Sequence, residues 1–256
     1  MAVASGRRAV SREKSRPSVF WPLAAVVVPL TGIFAKIEIE DADKLPREGA
    51  FVLAPNHYSN FDPLVVAVVV WRLGRAPSFM AKESLFRVPV LGAALRATGM
   101  VPVSRSSSAS AARDTIRGSE QLVEHGRGVI VYPEGTLTRD PDLWPMRGKT
   151  GAVRLSIAGD IPLVPMAHWG VQEIMPRYGK IRLWPLRRRV RVVLGDPILP
   201  SEHGADVSRP STLVAATDVL MDRISGLLAR LRGGTPPEQR WNPSAHGQTE
   251  TGRLES

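Results

Sequence analysis

The sequence predicts an α/β fold in a single main domain, and two observations lead there. After residue 35, short apolar runs alternate with longer runs of helical periodicity, the pattern of strands and helices layered on one sheet. A chain of 256 residues is also long enough for one such domain with a sizeable core. Apolar content of 43% and charged content of 23% are those of an ordinary globular protein, which excludes a disordered chain and a multi-span membrane protein.

Residues 1–18 are expected to be a basic, flexible N-terminus, carrying Arg7, Arg8, Arg12, Lys14 and Arg16. The apolar stretch "VFWPLAAVVVPLTGIFA" follows at 19–35 and imitates a secretory signal. No A-x-A cleavage site follows it, and Lys36 leads directly into the alternating strand pattern "KIEIE". A membrane span needs roughly 20 apolar residues; this run is shorter and carries Pro22 and Pro29. We read it as a helical segment associating with the cytoplasmic leaflet, its preceding cations against anionic headgroups. A core helix behind a disordered basic tail fits the same pattern.

The folded domain spans 36–232. Its strands are expected at 36–40, 50–54, 77–81, 100–103, 128–132, 162–167 and 189–194, and its helices at 63–73, 84–97, 108–125, 149–159 and 211–232. The valines of 63–73 favour a strand by propensity. Asp62 followed by Pro63, however, is a good N-cap and first-turn pair, which decides for a helix. Beyond Gly233, breakers and polar residues predict a disordered tail over 233–256.

A formal charge of +10 implies an anionic partner: nucleic acid, anionic lipid or a phosphate-bearing substrate. The stretch "RYGKIRLWPLRRRVRV" (177–192) interleaves cations with Trp184 and leucines, suiting a membrane- or phosphate-facing surface or, equally, a solvated turn before a strand. The cations are scattered and no nucleic-acid motif or stacking platform is present, so nucleic acid is not expected as a partner. Zero cysteines exclude thiol nucleophiles and thiolate metal sites, leaving histidine, serine and carboxylates for any chemistry.

The stretch "NHYSNFD" (56–62) joins a strand-like run to a helix. A tight turn there would bring the Asp62 carboxylate to one ring nitrogen of His57 and leave the other to take a proton, the base and orienter of a catalytic triad. Asp62 as a simple helix cap and His57 as a polar turn residue is the plainer alternative. No G-x-S-x-G serine accompanies the pair, so the nucleophile would be a substrate hydroxyl. His125, His168, His203 and His246 show no ligand spacing with His57, and no metal is expected.

Three further segments lie in order downstream: "GMVPVSR" (99–105), "VYPEGTLTR" (131–139) and "IPLVPMA" (161–167). With "NHYSNFD" they resemble the four ordered motifs of the glycerolipid acyltransferases, whose best-known members act on 1-acylglycerol-3-phosphate. The resemblance runs from about Lys36 to Pro200. It implies a glycerol-3-phosphate acyltransferase-like fold, with a central mixed sheet flanked by helices.

It implies roles as well: His57 as general base and Asp62 as its orienter, Arg105 on the acceptor's phosphate, Glu134 orienting its glycerol, and amides near Gly135 and Thr136 facing an oxyanion. Lys149 lies near the family's lysine downstream of the third motif and would assist the phosphate. Where the family has Arg-Ser after Glu-Gly-Thr, this chain has Leu137 and Thr138, with the arginine delayed to Arg139.

The expected partners are therefore a lysophospholipid acceptor, an acyl-CoA or acyl carrier protein donor, and an anionic membrane at the cytoplasmic face of the plasma membrane. No cofactor is needed, because thioester to ester is downhill. Another lysophospholipid or a lipid alcohol could serve as acceptor. A P-loop NTPase is the competing reading of "RGKTG", but a Walker A loop needs glycine at position 143, which is Leu143.

Overall fold

The computed structural model describes residues 18–82, 87–89, 92, 98, 100–103, 109–203 and 209–249. Five strands form the main sheet: β1 (Ala35–Glu40), β2 (Phe51–Pro55), β5 (Gly128–Ile130), β6 (Leu163–Trp169) and β7 (Arg188–Leu194). Their order across the sheet is β1-β7-β6-β2-β5. All neighbours are parallel except β6 and β7, so the sheet is mixed. A second, two-stranded parallel sheet of β3 (Met80–Lys82) and β4 (Val101–Val103) adjoins it through a bridge between Phe79 and Ile130.

The helices are α1 (Phe20–Phe34), α2 (Asp62–Arg72), α3 (Ala109–His125), α4 (Gly151–Gly159), the single turn α5 (Val171–Ile174) and α6 (Pro210–Arg232). The helix expected over 84–97 falls almost wholly outside the described residues.

β2 reads as an unbroken apolar run because both of its faces are covered. Phe51 and Leu53 pack with Val65, Val66, Val69 and Val70 of α2, while Val52 and Ala54 face Ala152 and Leu155 of α4 and Leu220 and Ile224 of α6. This period-two division makes two cores, one on each side of the sheet. Full burial of each such aliphatic side chain contributes roughly 1.5–3 kcal/mol, which is why the valine-rich α2 is helical against its propensity. Gly128 is required by this packing: a Cβ there would lie 2.1 Å from the Phe51 ring.

Two expectations are corrected. Asp62 is not the N-cap of α2: Phe61 occupies that position without a side-chain cap, and Asp62 opens the helix with its carboxylate turned back on the preceding turn. Residues 233–249, whose composition predicts disorder, fold back on the domain. Arg240 pairs with Asp218, at 2.9 Å, and with Asp222 on α6; the Trp241 carbonyl accepts from the Arg147 amide at 3.0 Å. One anchoring side chain and one backbone carbonyl in a polar segment leave little trace in composition.

α1 carries Pro29 and packs its Trp21 edge-on against Trp71 of α2, ring centroids 5.4 Å apart. Among the described residues, no helix is long and apolar enough to cross a membrane.

Candidate active site

The site lies at the carboxyl ends of two adjacent parallel strands, where α/β sheets present ligand-binding turns. β2 and β5 pair with Leu53 opposite Ile130. Their continuations therefore deliver the turn 56–61 and the turn 132–136 to the same edge of the sheet.

In the first turn His57 Nδ1 lies 3.0 Å from Asp62 Oδ2. The same oxygen accepts from the amides of Tyr58 at 2.7 Å and Ser59 at 2.8 Å. Asp62 is fully buried, whereas the His57 side chain is 15% exposed. A carboxylate only accepts, so Nδ1 carries the hydrogen and Nε2 keeps its lone pair for a reacting group. The sequence-predicted pair is thus brought together, with the imidazole as its accessible member.

Glu134 of the second turn is buried, and both of its oxygens are engaged by the backbone. Oε1 accepts from the His57 amide and Oε2 from the Met146 amide, each at 3.0 Å. Burial pushes its pKa up to about 8, against the pull of those amides. Glu134 therefore ties the third motif to the backbone of His57. The His57 carbonyl in turn accepts from the Thr138 amide at 2.6 Å.

The Gly135 amide donates to the Tyr132 carbonyl at 3.0 Å, so it closes the turn and is not presented to an oxyanion. Gly135 has φ +70°, and a Cβ there would meet Lys149 Cδ at 3.1 Å: the lysine lies across the glycine. Thr136 is half-buried beside it. Arg139 is only 2% exposed, so it does not offer its guanidinium at the surface. Arg105 lies outside the described residues. Among those described, no group of three or more histidine, cysteine or acidic side chains could hold a metal.

Several residues near the base escape a sequence reading. The Tyr132 ring stacks on the His57 imidazole, centroids 4.0 Å apart and planes inclined by 26°. Behind Asp62 lies the buried His168. Its Nε2 faces the Asn56 carbonyl at 3.0 Å and so donates; its Nδ1 lies 3.1 Å from the Tyr58 hydroxyl and 3.9 Å from Asp62 Oδ1. Burial lowers the His168 pKa, which favours this neutral form. Asn56 completes the lattice, accepting from the His168 amide at 2.9 Å and donating to its carbonyl at 3.2 Å. His168 stands 111 residues beyond His57 with no spacing relation to it; only the pairing of β2 with β6 brings them together.

A cavity of about 200 Å³ opens between α1 and α2. Pro63 and Leu64, which follow Asp62 in sequence, line it together with Ala24, Val28, Ala67 and Trp71; Thr98 is the one lining residue with a polar side chain apart from the Trp71 indole.

Comparison with known proteins agrees with this arrangement. The sequence model of a family described as Acyltransferase matches residues 36–169, just over half of the chain. A 1-acyl-sn-glycerol-3-phosphate acyltransferase of Bacillus subtilis is 30% identical over 198 residues, covering 76% of this chain and 89% of the relative. A chloroplastic protein of the same description from Brassica napus is 31% identical over 170 residues, covering 66% of this chain and 47% of the relative. A second, from Arabidopsis thaliana, is 31% identical with 67% and 45% covered. The chain spans about half the length of these plant relatives. The crystal structure of a 1-acyl-sn-glycerophosphate acyltransferase from Thermotoga maritima shares the fold, with a TM-score of 0.63 at 22% identity over 89% of this chain and 85% of that one. With an oriented histidine at the head of the matched segment and the same architecture around it, the chain belongs to the Acyltransferase family.

Proposed function

We propose that the protein moves a fatty acyl chain from an acyl thioester to the sn-2 hydroxyl of 1-acylglycerol-3-phosphate, forming phosphatidate for phospholipid synthesis. The observation that carries this is the partly exposed imidazole held by a fully buried carboxylate, in a protein that covers 89% of a bacterial relative so named.

His57 Nε2 takes the proton of the acceptor hydroxyl as its oxygen attacks the thioester carbonyl. Asp62 holds the Nδ1–H tautomer and faces the imidazolium that forms. Collapse of the tetrahedral adduct breaks the C–S bond, and the imidazolium returns the proton to the leaving thiolate. General base catalysis of this kind contributes roughly 10²- to 10⁴-fold. The acyl chain would lie in the apolar cavity that Pro63 and Leu64 help to line, and Lys149, with Arg105, would bind the acceptor's phosphate. The donor is acyl-CoA or acyl carrier protein, and the reaction takes place at the cytoplasmic face of the plasma membrane.

One observation favours, among the alternative acceptors, a lipid alcohol without a phosphate over another lysophospholipid. Leu137, where the family has arginine, is 5% exposed and Arg139 is 2% exposed, so this stretch offers the acceptor no surface cation.

The test is release of free thiol from palmitoyl-CoA with and without lysophosphatidate, for wild type and His57→Ala. The cysteine-free chain contributes no thiol background. Acceptor-dependent release lost in the variant, with phosphatidate among the lipids, is the expected result. Transfer to a different lysolipid in a panel moves the acceptor assignment, and activity retained by His57→Ala overturns the mechanism.

A further inference from the structure

Between α5 and β7 the chain makes a loop whose side chains point into solvent. Leu183 is 71% exposed and Trp184 81%, with Ile181 at 41% and Leu186 at 45%. Isolated exposed hydrophobes are ordinary; four within six residues are not. Cations surround them: Lys180, Arg182, Arg187, Arg188 and Arg189, with no acidic residue between Glu173 and Asp196 in sequence; Arg189 pairs with Glu38 at 2.7 Å and Arg182 with Glu173 at 3.8 Å.

The loop is held in shape from within. Arg188 reaches across it, donating from Nη1 to the Arg182 carbonyl at 2.8 Å and from Nη2 to the Trp184 carbonyl. The apolar side chains are thus presented on a closed frame, not on a trailing strand.

Both feet of the loop rest on parts of the protein already described. At one foot, the Arg187 amide donates to the Ile33 carbonyl at the end of α1, at 3.0 Å. There Leu30 and Ile33 are each 47% exposed, continuing an apolar surface that includes Val26 at 64%. At the other foot, the Arg182 amide donates to the Ile174 carbonyl, and the next carbonyl, of Met175, accepts from Ser59 Oγ; both contacts are 2.7 Å. Ser59 belongs to the turn that holds His57. The loop therefore joins the outer face of α1 to the catalytic turn through backbone hydrogen bonds and the Ser59 hydroxyl.

We propose that the Ile181–Leu186 loop is a lipid-inserting element that docks the protein on an anionic bilayer beside α1, holding the His57 turn at the membrane surface. Tryptophan and leucine enter the interfacial zone while flanking arginines and lysines reach the headgroups, the division of labour of interfacial anchors. The lipid surface is preferred to a protein partner because every charge in the segment is positive while its apolar tip is narrow and protruding. The proposal does not depend on which lysolipid accepts the acyl chain.

The test uses the full chain with vesicles of phosphatidylcholine containing phosphatidylglycerol, with or without brominated acyl chains. Brominated lipid should quench tryptophan emission, with part of that quenching absent in Trp184→Phe. Leu183→Ser combined with Trp184→Ser should weaken vesicle binding about tenfold or more. Lys180→Gln with Arg187→Gln should reduce the preference for anionic over purely zwitterionic vesicles. Thermal unfolding and acyl transfer to detergent-dispersed acceptor, measured alongside, show that each variant is folded. If transfer is absent in wild type while the Trp184-dependent quenching persists, the reaction assignment fails and the docking surface stands. Quenching identical in wild type and Trp184→Phe overturns the proposal, as does light scattering in which the loop variants change only the oligomeric state.

Discussion

The His57 imidazole and the Tyr132 ring stack face to face, 4.0 Å apart, across two strands that are neighbours in the sheet. The stack and the Asp62 hydrogen bond fix the imidazole by different means, one setting the plane of the ring and the other its rotation within that plane. The Tyr132 hydroxyl is buried and accepts or donates no hydrogen bond among the described residues, and burial pushes its pKa well above the usual value of 10. Its ring is therefore useful to the site while its hydroxyl is not. Tyr132→Phe should keep kcat and raise the unfolding temperature, since an unsatisfied buried group costs about 1–3 kcal/mol. Tyr132→Leu should lower kcat about three- to tenfold, the worth of an aromatic pair. Steady-state kinetics and calorimetry on both variants check this.

Asp62→Asn should be more damaging than its similar size suggests. An amide that turns its NH₂ toward Nδ1 reverses the tautomer and meets the Tyr58 and Ser59 amides donor to donor, and one that turns its oxygen there lacks the charge that stabilises the imidazolium. A fall in kcat of about 10³- to 10⁴-fold is expected, with acceptor KM little changed. Single-turnover acyl transfer at saturating acceptor measures it.

Glu134 predicts a pH dependence of stability. Its pKa is raised in the folded protein from 4.5 to about 8 by burial. The native state therefore binds the proton more tightly than the unfolded chain. The resulting stability is fully present below about pH 4.5 and is lost as pH rises through about 8, on the order of a few kcal/mol in all. Glu134→Gln should flatten that decline in denaturant titrations at pH 5, 7 and 9. It should also lower activity at every pH, because an amide cannot accept from both the His57 and Met146 amides.

Lys149 lies over Gly135, in the turn that follows the residue engaging the His57 amide. Lys149→Met should raise the acceptor KM about tenfold, as for loss of a charge-assisted contact, with kcat changed less than about threefold. A fall in kcat at unchanged KM would remove Lys149 from the acceptor's phosphate.

The cavity between α1 and α2 predicts donor selectivity. Ala67 lines it, and Ala67→Phe should shift preference toward shorter acyl thioesters. Each methylene excluded from an apolar site costs about 0.8 kcal/mol, roughly fourfold. Competition between thioesters of different chain length is the measurement.

Much of the fold was legible because its elements carry local signals. The alternation of "KIEIE" marks β1, the unbroken "FVLAP" marks β2, and Pro63 and Pro210 stand at the starts of α2 and α6. The pairing of His57 with Asp62 was legible because only four residues separate them and a turn is enough to join them. What was not legible depends on pairing between distant strands. Tyr132 meets His57, and His168 meets Asn56, only because β5 and β6 flank β2. Glu134 was visible as a residue, but its task was not: the donors that occupy it are backbone amides, which every sequence possesses.

The pairing of β1 with β7 joins Ala35 to Arg188 and Glu40 to Val193. A strand made early in synthesis thus waits for one made about 150 residues later, and such long-range closure is slow relative to local structure. During translation both edges of β1 are open, ready templates for wrong partners; β7 closes one, and the other remains the outer edge of the finished sheet. The strand itself answers this hazard, since Lys36, Glu38 and Glu40 alternate with its apolar residues. When β7 arrives, Glu38 and Glu40 become the acceptors of Arg189 and Arg191. The charges that keep the early edge solitary are the ones that later recognise its proper neighbour.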